Sequence, residues 1–142
     1  MKKFDSYYTA FTGLMTSVFS GRTSNMVFAS QLPVAIKGFI RNHFPKQSIA
    51  HVTMDTGINN PGYEVSLNDG ANLYFSFTGI WSTIDCIAGK VPVSLIPVKV
   101  ASQVDKQFGN NSVVKIGRSF KDYELLLSNG ITLKYDQDAN LI

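Results

Sequence analysis

The side chains that most often carry out chemistry are few in this sequence. It contains two histidines, His43 and His51, and a single cysteine, Cys86. A zinc site needs several Cys, His or acidic ligands at short spacing, and neither histidine has such neighbours along the chain. A cysteine nucleophile needs a base beside it, whereas Cys86 alternates with Ile84 in the way of a small buried residue. These residues therefore predict neither a metal site nor nucleophilic catalysis.

Acidic residues offer two further candidate sites. Asp136, Asp138 and Asn140 have the spacing that begins a calcium loop, but the glycine and distal glutamate that such a loop needs are missing. Glu64 and Glu124 occupy equivalent positions in two sequence repeats, so each belongs to its own unit and they are not an acid–base pair. The sequence also lacks a glycine-rich phosphate loop. We therefore expect no enzymatic activity, no cofactor and no bound metal.

Length and composition indicate a packed globular protein. The chain has 142 residues, of which 44% are apolar, 12% aromatic and 16% charged, and its net charge is +3. This aromatic content with modest charge argues against disordered, collagen-like and coiled-coil classes. No apolar run approaches the ~18 residues of a transmembrane helix. The small net charge, without a concentrated basic patch, argues against a nucleic-acid partner.

Two stretches of sequence return in the same order, which indicates a tandem duplication. Leu-Pro-Val at residues 32–34 returns as Ile-Pro-Val at residues 96–98, which is 64 positions later. YEVSLNDG at residues 63–70 returns as YELLLSNG at residues 123–130, which is 60 positions later. The difference falls in residues 56–62, a stretch dense in turn residues. One ancestral unit therefore occurs twice, with a longer loop in the first copy.

Each unit has the pattern of a helix followed by antiparallel strands. Pro33 and its equivalent in the second unit suit the first position of a helix, and apolar residues at helical spacing follow. Alternating strands come next, joined by Asp-Gly at residues 69–70 and Asn-Gly at residues 129–130, which are strong hairpin signals. We therefore predict an α+β fold of two tandem helix-plus-antiparallel-sheet repeats, residues 26–90 and 91–142. Both helices should cover one face of a joined sheet.

Residues 1–25 belong to neither unit. Their apolar side chains recur at the spacing of an amphipathic helix, with hydroxyl residues opposite; they are Phe4, Tyr7, Tyr8, Phe11, Leu14, Met15 and Val18. This segment has three candidate roles: an extra packing helix, an atypical export signal, or a helix that contacts a membrane surface or a partner. Residues 20–25 are predicted to be its linker.

Motifs in both units are shared with a known family. LPVAIKGFIRNHFPKQSIAHV, GYEVSLNDG and GIWSTIDC carry the likeness in the first unit, and LIPVKVASQVDKQF and YELLLSNGITLKYDQDANLI carry it in the second. These stretches resemble the PepSY-like family of beta-lactamase-inhibitor-like proteins. The resemblance implies a tandem fold similar to beta-lactamase inhibitory protein. It also implies a periplasmic or secreted location, because members are mostly small exported proteins of Bacteroides-type bacteria. Inhibition of an enzyme does not follow from a shared fold.

The sheet face without helices, here called the open face, is the predicted functional surface. Alternation assigns to it His51, Thr53, Glu64, Ser66, Tyr74, Ser76, Trp81, Lys115, Glu124, Leu126, Thr132 and Lys134. Aromatic anchors beside polar groups are typical of recognition surfaces. The candidate partner-binding residues are therefore Trp81, Tyr74, His51, Glu64 and Lys134. Trp81 has an alternative interpretation, in which it fills the core or the junction between the units.

The sequence thus predicts a non-enzymatic module that binds a protein or peptide through the open face, with an inhibitor-like role as one form of this function. A flat sheet suits such partners better than a small molecule, which needs a concave pocket. One alternative is an envelope-associated structural protein, in which residues 1–24 make peripheral contact with a membrane or another subunit. Another alternative is a small-ligand site between the sheet and a helix.

Overall fold

One eight-stranded antiparallel sheet forms the centre of the protein. The structure, a computed structural model, describes residues 24–57 and 61–142. The strands are β1 Ser24–Val27, β2 Ile49–Asp55, β3 Gly62–Leu67, β4 Asn72–Phe75, β5 Trp81–Asp85, β6 Val113–Arg118, β7 Asp122–Leu127 and β8 Thr132–Asp136. They lie side by side in sequence order. The predicted N-terminal helix, and the membrane or subunit anchor that depends on it, lie outside the described residues.

Two helices accompany the sheet. They are α1 Val34–His43 and α2 Val98–Phe108, and each follows a short 3-10 turn, Ala29–Gln31 or Val93–Leu95. Pro33 and Pro97 precede the first helical residue with extended ψ angles of 148° and 137°, so each proline caps its helix and lies one residue before the predicted position. Neither described helix has the length and apolarity needed to cross a membrane.

Buried side chains of seven strands form a continuous row under the helices. The register joins Val52, Val65, Leu73, Ile84, Ile116, Leu125 and Leu133 across the sheet, and all are almost fully buried. Ile36 of α1 and Val100 of α2 belong to the same cluster. Burial of each such side chain stabilises the folded protein by roughly 1.5–3 kcal/mol. Both helices therefore cover one sheet face, which confirms the predicted α+β arrangement.

The two predicted hairpin turns have matching geometry. Gly70 and Gly130 have φ angles of 93° and 89°, a conformation that side chains with a Cβ rarely adopt. The side chain of the residue before each glycine accepts a hydrogen bond from the backbone amide two residues later. Asp69 Oδ1 accepts from the Ala71 amide, and Asn129 Oδ1 accepts from the Ile131 amide. Equivalent turns at equivalent positions support the duplication inferred from the sequence.

The start of the described chain differs from the prediction. The sequence predicts a linker up to residue 25, whereas Ser24–Val27 forms β1 against β2. The edge of β2 supplies pairing partners that no local pattern reveals, so tertiary contact decides this segment. A strand, a 3-10 turn, a helix and three strands consequently occur twice in the element order. The unit boundaries, residues 26–90 and 91–142, remain a prediction.

Tyr135 in β8 provides a test of the core. Its side chain is fully buried, and its hydroxyl has no hydrogen-bond partner among the residues that the structure describes. We expect Tyr135→Phe to raise the free energy of unfolding by about 1 kcal/mol, because it removes an unsatisfied buried polar group and leaves the ring in place. Urea unfolding measures the change. Tyr123→Phe, on the adjacent half-buried ring, is the control and should stay within about 0.5 kcal/mol of the parent. A loss of stability in Tyr135→Phe would contradict the expectation.

Candidate functional site

The open face is built from two rows of side chains that cross seven strands. The first row consists of His51, Ser66, Asn72, Asp85, Lys115, Leu126 and Thr132. The second row consists of Thr53, Glu64, Tyr74, Thr83, Gly117, Glu124 and Lys134. Cross-strand neighbours on one face lie close enough to interact. The structure thus brings His51, Glu64, Tyr74 and Lys134 onto this surface, while their role in binding remains a prediction.

Trp81 does not lie on the open face, and its assignment there is wrong. Tyr74 in β4 pairs with Thr83 in β5. The next residue, Phe75, pairs with Trp81, so Ser82 is an extra residue that forms a β-bulge. Such a bulge reverses the alternation of side chains, and Trp81 points to the helix side, where it is 8% exposed within the core cluster. The alternative interpretation, in which Trp81 belongs to the core, describes its position.

Arg118 holds Trp81 at the junction of β5 and β6. The guanidinium carbon lies 3.9 Å from the indole ring centroid, and Arg118 Nε donates a hydrogen bond of 2.8 Å to the carbonyl oxygen of Trp81. A cation over an indole face contributes roughly 0.5–2 kcal/mol, depending on its exposure. The pair therefore stabilises the contact between two neighbouring strands on the side away from the open face.

Tyr74 and Glu64 form a side-chain hydrogen bond in the second row. The Tyr74 hydroxyl donates a hydrogen bond of 3.0 Å to Glu64 Oε2. Burial of the ring raises the pKa of Tyr74 well above its usual range, and the adjacent Glu64 carboxylate raises it further. Tyr74 consequently remains a neutral donor at any physiological pH. Its ring is held in one orientation, which lowers the entropy that a binding partner would have to overcome.

Asp85 and Lys115 form an ion pair in the first row that sequence reasoning missed. Lys115 Nζ lies 3.8 Å from Asp85 Oδ2, and both side chains are largely buried. Burial lowers the pKa of Lys115, and the Asp85 carboxylate partly opposes this shift. Asp85 was absent from the predicted surface although its alternation with the buried Ile84 placed it there. Alternation within β5 is therefore sufficient to place Asp85 on this face, but the sequence does not reveal that β5 pairs with β6.

The β7–β8 end of the open face carries mixed charges. Lys134 Nζ lies 3.4 Å from Asp122 Oδ2, and Glu124 is directly opposite Lys134 in the register. Burial raises the pKa of Glu124, while the charge of Lys134 opposes that shift. Both signs of charge are thus available within two adjacent strands.

An apolar groove adjoins the open face at its β1 edge. It has a volume of about 350 Å³ and is lined by residues 26–29, Gln31 and residues 49–52. Met26 and Phe28 are largely exposed. His51 belongs both to the groove and to the first row, so the two surfaces are continuous.

Residues with potential for catalysis are separated from one another. In the helix layer, His43 Nδ1 lies 2.8 Å from Ser94 Oγ. A serine nucleophile also needs a group that orients its histidine, and no hydrogen bond between His43 and a carboxylate occurs in residues 24–57 and 61–142. Cys86 is buried, and burial, with smaller effects of nearby aspartates, raises its pKa to about 12, so the reactive thiolate is scarce.

The first acidic side chain of the loop after β8 forms hydrogen bonds within that loop. Asp136 Oδ1 accepts hydrogen bonds of 2.9 Å from the backbone amides of Asp138 and Asn140. These bonds, together with one from the Asn140 side chain, lower the pKa of Asp136. The carboxylate therefore closes a turn. Within the described ranges, no group of three or more His, Cys, Asp and Glu side chains has the arrangement of a metal site.

Comparison with a family model gives two matches on this chain. The model is described as "Putative beta-lactamase-inhibitor-like, PepSY-like", and it matches residues 21–79 and 61–142. Together the two matches extend over both predicted repeats. A search of curated proteins gives no match.

Three solved structures that are similar to this chain come from Bacteroides. A B. thetaiotaomicron protein described as a "putative calcium-regulated periplasmic protein" is 34% identical, with a TM-score of 0.80, over 84% of this chain and 94% of that chain. A B. vulgatus ATCC 8482 protein described as a "putative periplasmic protein" is 32% identical, with a TM-score of 0.81, over 86% and 96%. A second B. vulgatus ATCC 8482 protein, described as a "putative periplasmic protein of unknown function", is 30% identical, with a TM-score of 0.79, over 84% and 96%.

Proposed function

Since the chain belongs to the PepSY-like, beta-lactamase-inhibitor-like family, we propose that it is a non-enzymatic protein that binds a protein or peptide through its open face. The observation that carries this proposal is the Tyr74–Glu64 pair at the centre of the second row. An aromatic ring fixed by a hydrogen bond, with polar neighbours, has the character of an interface hot spot. We assign the anchor role to Tyr74, with His51, Glu64 and Lys134 around it.

Charge on the open face favours a protein partner. The partly exposed Asp122–Lys134 contact, with Glu124 opposite Lys134, combines both signs of charge within two adjacent strands. Alternating charges select a complementary protein surface and fix its register, whereas nucleic acid requires a continuous basic surface. The groove beside His51 offers an apolar site for one side chain of an extended peptide.

The relatives support two further parts of the proposal. The three similar solved structures are all described as periplasmic proteins, and we propose the same location for this chain. The family description is inhibitor-like; if the bound protein is an enzyme, binding through the open face would block it sterically, without any catalytic group of this chain.

Substitution of Tyr74 tests the proposal. Immobilised parent protein and the Tyr74→Ala variant are each exposed to a periplasmic extract, the captured proteins are identified by mass spectrometry, and the Kd of each purified candidate is measured. We expect a partner whose Kd rises roughly 30-fold in Tyr74→Ala, which is the effect of losing a hot-spot aromatic residue. Phe120→Ala, which removes an exposed ring from the β6–β7 turn, is the matched control and should leave the Kd unchanged. If no captured protein distinguishes Tyr74→Ala from the control, the proposed site is wrong.

A further inference from the structure

The segments that contain the helices carry a charge opposite to that of the sheet. These segments, here called the helical connections, join β1 to β2 and β5 to β6 and comprise residues 28–48 and 86–112. Among the described residues, they hold six of the ten basic side chains and one of the nine acidic side chains. The basic residues are Lys37, Arg41, Lys46, Lys90, Lys99 and Lys106, and the acidic residue is Asp105. The fold therefore collects on one side of the sheet a positive charge that no run of basic residues in the sequence indicates.

Most of this charge is on the outward side of the helices. Five of the six basic side chains are exposed. The buried residues of each helix lie on one side, so Arg41 of α1 and Lys99 and Lys106 of α2 project away from the sheet. The end of α1 contacts the 3-10 turn before α2, where His43 Nδ1 lies 2.8 Å from Ser94 Oγ. The two helical connections consequently form one continuous surface.

Exposed valines lie among these charges. Val34 and Val98 are the first residues of α1 and α2, and they are 84% and 85% exposed. Val93, in the turn that contacts α1, is 71% exposed. Val34 and Arg41 are seven residues apart and therefore lie on the same side of α1. Exposed apolar side chains with basic neighbours are typical of proteins that lie at a membrane interface, where the cations contact anionic headgroups and the apolar groups enter the acyl boundary.

We propose that the helical connections dock on an anionic lipid surface, with their basic side chains at the headgroups and the exposed valines between them. Two properties favour a bilayer over a nucleic acid or an acidic protein. The charges are spread over both helices, and the valines have no role in a purely ionic contact. Docking on this side leaves the open face, on the other side of the sheet, accessible to a protein partner. The proposal therefore goes beyond the proposed function and does not rest on it.

Binding of the purified full chain to lipid vesicles tests the proposal. Vesicles of phosphatidylcholine with about 30% phosphatidylglycerol are compared with pure phosphatidylcholine, at salt concentrations of about 0.1 M and about 1 M. We expect the partition coefficient at low salt to be at least about ten-fold higher on the anionic vesicles, and this excess should be lost at high salt because salt screens exposed charges. Tyr74→Ala, on the open face, should bind the vesicles like the parent. Equal binding to both kinds of vesicle, or binding to neither, would overturn the proposal.

Two pairs of single substitutions locate the contact. Lys99→Gln should lower the partition coefficient roughly five-fold, the effect of one basic residue at an anionic surface, whereas Lys121→Gln, in the β6–β7 turn, should leave it unchanged. Asp105→Asn removes the acidic side chain of the helical connections and should raise the partition coefficient by a similar factor. Its control is Asp69→Asn, in the β3–β4 turn, where the second unit already has Asn129. If Lys99→Gln and Asp105→Asn behave like their controls, as expected if residues 1–24 alone made the membrane contact, the proposal is wrong.

The double variant Val34→Ser with Val98→Ser distinguishes a bilayer from other anionic partners. It keeps every charge, so a purely ionic contact should be unaffected. Loss of two apolar side chains from a bilayer interface should instead lower the partition coefficient at least about five-fold. Phe120→Ser, which removes an exposed ring from the β6–β7 turn, is the control and should bind like the parent. An unchanged partition coefficient in the double variant would mean that the helical connections attract any polyanion, and it would overturn the proposal.

Discussion

Trp81→Ala is expected to lower the free energy of unfolding by about 3–5 kcal/mol, the range for removing a large aromatic side chain from a core. The indole is 8% exposed and belongs to the cluster that joins the sheet to the helices. Alanine would leave a cavity there and would remove the ring on which the Arg118 guanidinium lies. Urea or thermal unfolding of the purified variant measures the loss.

Phe120→Ala is the control that shows whether the loss of stability in Trp81→Ala comes from removing a buried ring or from removing any aromatic ring. Phe120 is 86% exposed in the β6–β7 turn, so its removal should change stability by less than about 0.5 kcal/mol. A Trp81→Ala variant as stable as the parent would mean that the indole is not part of the core. Partner binding by folded Trp81→Ala should remain intact, because this side chain points away from the open face.

Asp85→Ala is expected to cost about 3 kcal/mol of stability at pH 7, whereas replacing both partners, in Asp85→Ala with Lys115→Met, should be neutral or stabilising relative to the parent. Lys115 is almost fully buried, and Asp85 Oδ2 lies 3.8 Å from its ammonium group. Without this carboxylate, the protonated lysine loses a compensating charge in a site shielded from water. Methionine has a similar shape and no charge, so in the double variant it fills the same space and leaves no buried charge unpaired. Chemical unfolding of both variants distinguishes these outcomes.

The pH dependence of Asp85→Ala has a defined sign. Burial already lowers the pKa of Lys115 in the folded state, and removing Asp85 should lower it further. Between this pKa and the ordinary lysine value, the unfolded chain binds more protons than the folded chain, so stability rises with pH. The destabilisation by Asp85→Ala should therefore be smaller at pH 9 than at pH 7. Lys115→Met should abolish that difference when the two substitutions are combined, and a constant difference in the presence of Lys115 would contradict this account.

The two faces of the sheet are expected to have different roles. Trp81, Arg118 and the helices stabilise one side. The rows containing Tyr74 and the Asp85–Lys115 pair form the other side, where substitutions should alter recognition more than the fold, except at buried charges.

Short-range pattern was sufficient to predict the duplicated α+β fold and most of its elements. Helical spacing after Pro33, alternation within strands, and the turns at Gly70 and Gly130 are properties of a few neighbouring residues, so each could be recognised without knowledge of the rest of the chain. The family resemblance agreed with this pattern because its motifs are the same structural residues. His51, Glu64, Tyr74 and Lys134 were assigned to the correct face for the same reason.

Contacts between strands decided the remainder. The bulge at Ser82 appears only when β4 and β5 are paired, and this single residue moved Trp81 from the predicted surface into the core. β1 exists because the edge of β2 is available to it, and the Asp85–Lys115 pair exists because β5 lies beside β6. Register, bulges and cross-strand pairs depend on residues far apart in sequence, which a periodic pattern does not encode.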